Sequence, residues 1–169
     1  MDRMQRKLVG IIMLLLCACI VSAAQQTWFL QTQDGKWHSF SSRAAWERSA
    51  KENMPLEIAI ANRSEAGISL EHDVQGESGD WKTVDLYEAD MDGLVQTLRR
   101  TFVSVEQDIK IVSVYKKTQK GTLRRTSVVR TSLSGLNVKR NEEPDVPQLP
   151  IARNIFEFEF MRNGGYRSK

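Results

Sequence analysis

The chain of 169 residues predicts a single exported α+β domain, with an antiparallel or mixed sheet of about seven to eight strands and two helices packed on it. Three observations predict it. Short runs of alternating apolar and polar residues recur along the chain, separated by turn residues such as Asp34-Gly35 and Gly79-Asp80. Two stretches, near 43–52 and 92–105, instead repeat apolar residues at helical spacing. The first two dozen residues read as an export signal, and the remaining chain suits one domain with a substantial core.

Residues 1–24 have the parts of such a signal: a basic start (Arg3, Arg6, Lys7), an apolar run from Leu8 to Ile20, and small residues before Gln25. Val21-Ser22-Ala23-Ala24 offers a signal peptidase small residues at −3 and −1, for a cut before Ala24 or Gln25. Leu16-Cys17-Ala18-Cys19 also resembles a bacterial lipobox, in which residues 1–18 are removed and Cys19 is acylated. Cysteine at −2 is unusual for that motif. An uncleaved anchor is the third reading, although the apolar run falls short of the roughly 20 residues a spanning helix needs. One acyl chain holds a protein only marginally on a membrane, so a lipoprotein would rely on further chains. All three readings place the domain outside the cytoplasm, periplasmic or extracellular.

The same segment contains both cysteines, so a chain cut at Ala24 has no thiol, no disulfide and no thiolate zinc site. It also carries Arg3, Arg6 and Lys7 against Asp2, so its removal takes the net charge from +3 to +1. A nearly neutral domain gives no case for a nucleic-acid binder. Neither a cofactor nor a metal is expected. Asn62-Arg63-Ser64 is a sequon, but the short Arg/Lys-led signal looks bacterial and the tripeptide reads as turn chemistry.

Turn and periodicity signals set the elements along the domain. Strands are expected at 27–32 and 36–40, joined by the hairpin dipeptide Asp34-Gly35. Ser41-Ser42 supplies an N-cap for a helix over 43–52, with Ala45, Trp46 and Ala50 inward and Arg43, Glu47 and Lys51 outward. Pro55 ends it. Strands at 56–61 and 68–74 come next, around a turn at 63–67. A strand at 81–87 then precedes a second helix over 92–105, carried by Leu94, Leu98, Phe102 and Val105. Strands at 109–116 and 123–132 complete the main domain, residues 25–133.

Both halves open on Gly-x-Trp, at Gly35-Lys36-Trp37 and Gly79-Asp80-Trp81, and both run strand, helix, strand, turn, strand. A duplicated β-α-β-β unit would explain this; a chance order of common elements is the alternative. Residues 134–153, with Pro144, Pro147 and Pro150, read as an extended connector. Phe156, Phe158 and Phe160 alternate with Glu157 and Glu159, which predicts a strand over 154–162 that completes the domain. Residues 163–169 form a basic tail.

Candidate chemistry is sparse, and no catalytic residue is assigned. His72 shares a strand face with Ile68, Leu70 and Val74, which predicts a buried, hydrogen-bonded, structural histidine. Its neighbours Glu71 and Asp73 point to the other face. No G-x-S-x-G elbow is present. The acids Glu88, Asp90 and Asp92 before Gly93 match the start of a calcium loop, but the bidentate position falls on Arg99. They read instead as caps of the second helix. Trp28, Trp37, Trp46 and Trp81 are expected in packing contacts, with a sugar-stacking platform as the alternative.

Charge segregation is the most unusual feature. Residues 64–92 hold nine acids and one base, whereas 116–140 hold eight bases and no acid. Either the two segments pair within the sheet, or a basic hairpin formed by Lys116, Lys117, Lys120, Arg124, Arg125 and Arg130 docks an anionic surface. Tyr115 is the only aromatic residue near it, which counts against single-stranded nucleic acid. The leading expectation is a non-catalytic envelope or secreted binding or assembly module, whose partner is an anionic envelope component or an acidic protein. Membrane contact is expected only through a lipid on Cys19. The alternatives are a glycan-acting hydrolase with a carboxylate site around His72, and a structural subunit of a head-to-tail homo-oligomer.

Overall fold

The computed structural model describes residues 25–137 and 149–163. The segment read as an export signal, with Cys17 and Cys19, the middle of the expected connector and the basic tail lie outside the described residues. Eight strands form one antiparallel sheet: β1 (Gln25–Gln31), β2 (Trp37–Phe40), β3 (Glu57–Ser64), β4 (Gly67–Gln75), β5 (Trp81–Ala89), β6 (Val95–Ser104), β7 (Ile109–Lys117) and β8 (Leu123–Thr131). Their spatial order is β2-β1-β3-β4-β5-β6-β7-β8. After β3, every strand therefore pairs with the one before it. The helix α1 (Arg43–Asn53) carries the chain from the β2 edge back to β3 beside β1.

Cross-strand partners share a face, so the register sorts the side chains. One row runs Phe29, Ala59, His72, Asp85, Arg100, Ser113, Val128 across seven strands. The next row on that face holds Ala61, Leu70, Tyr87 and Leu98. This face is the core: Phe29, Leu70, Tyr87 and Leu98 are each no more than 1 % exposed. The opposite face holds Leu30, Ile58, Val84, Val112 and Val129, and α1 lies against its β1 end, where the Trp46 indole donates to the Phe29 carbonyl at 3.1 Å.

The core face is covered by residues 149–163, which contain a 3-10 turn (Ile155–Glu157) and the short helix α2 (Glu159–Asn163). Ala152, Ile155, Phe160 and Met161 bury themselves against Phe29, Leu70 and Tyr87. The strand expected over 154–162 is thus corrected to a helical strap. Asn154 accepts from the Phe156 amide at 2.8 Å, and Glu157 reaches back to the Asn154 amide at 3.2 Å, a capping box that starts a turn where alternation predicted a strand. The alternating phenylalanines still point inward, with Phe160 4.3 Å from Trp37 and 5.1 Å from Phe29 between ring centres. Gly93 admits this approach: at φ +79°, a Cβ there would lie 2.5 Å from the Phe156 ring.

The second helix is also corrected. Residues 95–104 are β6, paired on both sides by β5 and β7. The four-residue spacing of Leu94, Leu98 and Phe102 fits a helix, but four is also a multiple of the strand period of two. The β-branched Thr97, Thr101 and Val103 favour the strand. With that helix gone, the duplicated β-α-β-β unit falls. On α1 itself Ala45 is exposed rather than inward, and Ser42 holds the N-cap position without a side-chain cap bond.

Candidate functional site

The basic residues gather on the hairpin that closes the far edge of the sheet. Its turn is set by Thr118, whose amide donates to the Thr122 carbonyl at 2.8 Å and whose carbonyl accepts from Gly121 at 2.9 Å. Gly121 sits at φ +78°, a conformation side-chain-bearing residues rarely adopt. On β8 the register skips Thr126: Val114 faces Ser127, while Tyr115 faces Arg125. This bulge reverses the facing of every β8 residue before it. Leu123 thereby turns to the core face, where it packs on the main cluster, and Arg124 turns to the opposite face beside Lys116.

The six predicted residues are therefore divided. Lys116 and Arg124 are direct cross-strand partners and both are exposed. Lys120 tops the turn, while Lys117 and Arg125 lie on the other face of the same hairpin end. Arg130 stands apart, half-buried opposite Ile111 near the far end of β8. Like charges placed directly opposite destabilise a strand pair. Among the described residues, Lys116, Lys117, Lys120, Arg124 and Arg125 make no ion pair with any acid.

The acidic segment has other partners. Asp73 pairs with Lys82 at 2.5 Å and Asp85 with Arg100 at 2.6 Å, both within β4–β6. On the face away from the strap, Thr97 separates Glu88 from Lys116. The calcium-like run is a loop rather than a helix cap. Asp90 Oδ1 accepts from the amides of Asp92 and Leu94, and Oδ2 accepts from Gln96, so this carboxylate is occupied in shaping the β5–β6 turn. Among the described residues no group of three His, Cys, Asp or Glu side chains is placed to hold a metal ion.

His72 is buried and structural. Its Nε2 lies 3.2 Å from Glu57, and its ring is flanked by Phe158 and Phe160 at 5.0 and 5.5 Å. Next in its row, Asp85 holds Arg100 through two bonds of 2.7 and 2.6 Å and accepts from the Tyr87 hydroxyl at 3.2 Å. Arg100 also donates to the carbonyls of Leu149 and Pro150, tying the strap to the sheet. Burial works against the charge on Arg100, but the bonds and charge of Asp85 more than offset it and hold the guanidinium above its ordinary pKa. Burial, reinforced by the Asp85 charge, pushes the Tyr87 phenol up. Helical spacing over 92–105 hides this polar row in the sequence. On a strand Arg100 shares the face of Leu98 and Phe102, and the β-branched Thr97, Thr101 and Val103 are the strand signal that could have found it.

An open polar depression of about 420 Å³, lined by Thr32, Asp34, His38, Glu52 and Asn53, gathers two further carboxylates. Hydrogen bonds from Lys36 and Thr32 hold Asp34 well below the usual carboxylate range. The four tryptophans are half-buried, and three are engaged: Trp37 on Phe160, Trp46 on β1, and Trp81 stacked 6.5 Å from Phe102.

No protein-family model matches the chain, and neither a curated protein nor a solved structure matches it.

Proposed function

We propose that the chain is an exported, non-catalytic binding module that meets an anionic partner with the β7–β8 hairpin. The observation that carries this reading is the cluster of Lys116, Lys117, Lys120, Arg124 and Arg125, which are unpaired among the described residues although acids abound elsewhere in the chain. A Lys116–Arg124 cross-strand pair costs stability unless something outside the sheet neutralises it. Docking is electrostatic and weakens with salt. The triple variant Lys120→Ala, Arg124→Ala, Arg125→Ala should bind phosphatidylglycerol vesicles or polyglutamate at least roughly tenfold more weakly at low salt, by cosedimentation or anisotropy. Unchanged affinity for both probes overturns the reading. An intact mass beginning at Ala24, Gln25 or acylated Cys19 would support export; an unprocessed residue 1 would count against it.

The hydrolase reading has less support. His72, Glu57 and Asp85 do share one face, but His72 lies among Trp37, Phe158 and Phe160 and Asp85 is buried and held by Arg100, so only Glu57 reaches solvent. In the open depression Asp34 is shifted down, the wrong direction for a general acid that must hold its proton near neutrality.

A further inference from the structure

The strap covers the core face of the sheet, but among the described residues the opposite face is covered only over its first strands, where α1 lies. No described element covers that face from β5 to β8. Its centre is aliphatic: Val84, Leu86, Val112, Val114 and Val129, with Leu86 38 % and Val129 54 % exposed. Within and around this strip stand Arg99, Lys110, Lys116 and Arg124, all exposed. The acids of this face, Glu71, Glu88 and the Asp73 that pairs with Lys82, lie on the β4–β5 side. Where the strip meets α1 it ends in a mainly apolar notch of about 120 Å³, lined by Trp46, Pro55, Leu56 and Ile58 and bordered by the Asp73–Lys82 ion pair, with room for one aliphatic side chain.

We infer that this open face is the body of the interface whose rim is the hairpin, and that it takes an amphipathic helix of a protein partner, apolar along one stripe and acidic on its flanks. The inference rests on the proposed docking role of the hairpin, with which it shares Lys116 and Arg124. Four strands about 4.8 Å apart give a width of roughly 14 Å, enough to seat one helix of roughly 10 Å diameter with its flanks over the cations. The chain already uses that solution on the same face, where α1 covers the other end.

Charge and shape decide against the other occupants. A second copy of this face would set cations on cations across a two-fold axis. A bilayer interface favours tryptophan and tyrosine, and the strip has neither. Its valines are also shorter than the arginines and lysines around them, so a flat lipid surface would meet the charges and not the strip.

The test uses the full chain and two designed helical peptides with leucines at i, i+3, i+4 and i+7. One carries flanking glutamates and the other flanking lysines. The acidic peptide should bind and the basic one should not. The neutral substitutions Leu86→Asn and Val129→Asn, both at exposed positions, should together weaken binding at least roughly tenfold at low and at high salt, because burial is not screened. Lys116→Ala with Arg124→Ala should weaken it mainly at low salt. If the asparagine variant binds the acidic peptide like the parent while the alanine variant does not, the helix-docking inference is overturned and the hairpin reading stands. If neither variant changes binding, both fail. Loss of vesicle binding or of a chain dimer in the asparagine variant, with no binding of the acidic peptide, overturns the inference in favour of those occupants.

Discussion

The two faces of one sheet are built from the same strands but, over β6 to β8, treat charge in opposite ways. On the strap side the ionic groups are mutually satisfied and, Glu57 apart, enclosed: Asp85 bonds Arg100 and Tyr87, Arg100 bonds the strap carbonyls, and Glu57 bonds His72. On the other side the buried Asp73 is paired with Lys82 near α1, but farther along the sheet Arg99, Lys116 and Arg124 stand in solvent, and Lys116 and Arg124 face each other. A buried charge must be paired to be tolerated, whereas an exposed one costs little when left alone. The covered face therefore shows what holds the fold, and the open face shows what the fold leaves available.

The largest effect expected from this contrast is at Arg100. Its side chain is 12 % exposed and that of Asp85 is 5 %, so Arg100→Ala strands a buried carboxylate and also frees the strap at Leu149 and Pro150. A loss of about 3–5 kcal/mol is expected in urea unfolding. Replacing both partners with leucine should recover most of it, because the pair is costly to break and far less costly to replace. A loss below about 1 kcal/mol for Arg100→Ala would mean that the two faces do not differ in this way.

Tyr87 gives a smaller and pH-dependent effect. Its phenol is pushed up from 10.0 in the folded state, so above about pH 10 the unfolded chain releases a proton that the folded chain keeps. Stability contributed by this group is present below pH 10 and is lost as the pH rises further. Tyr87→Phe should flatten the alkaline fall in stability, at a cost of about 0.5–1.5 kcal/mol near neutrality for the lost bond to Asp85. An unchanged alkaline limb in denaturation curves would show that another group carries it.

The sequence and the structure part company where local pattern and tertiary partner disagree. The Asp34-Gly35 hairpin, α1, and the strands on either side of the 63–67 turn are legible because turn chemistry and alternation agree there. The β6 segment misleads because Leu98 and Phe102 satisfy two periods at once, and only pairing by β5 and β7 decides between them; Leu94 lies before the strand and is exposed. The strap misleads for the converse reason. Phe156, Phe158 and Phe160 alternate as a strand would, but Asn154 and Glu157 close a capping box and the rings meet the core from a turn. The basic cluster is legible as composition. Its division between two faces is not, since it depends on one bulged residue, Thr126.

The smallest expected change in stability is the most telling for function. Arg124→Ala removes an exposed cation that faces Lys116 directly and has no acid beside it among the described residues. On the covered face, removing an arginine leaves a buried carboxylate without its partner. Here there is no such partner, so stability should move by no more than about 0.5 kcal/mol, and upward as the repulsion from Lys116 is relieved. Binding to an anionic partner should fall in the same variant, and the fall should shrink as salt is added. A clear loss of stability in thermal unfolding would show that Arg124 belongs to the fold, and the asymmetry between the faces would no longer point to a contact surface. A gain in stability together with a loss of binding is the combination expected of a residue placed against the interest of its own sheet.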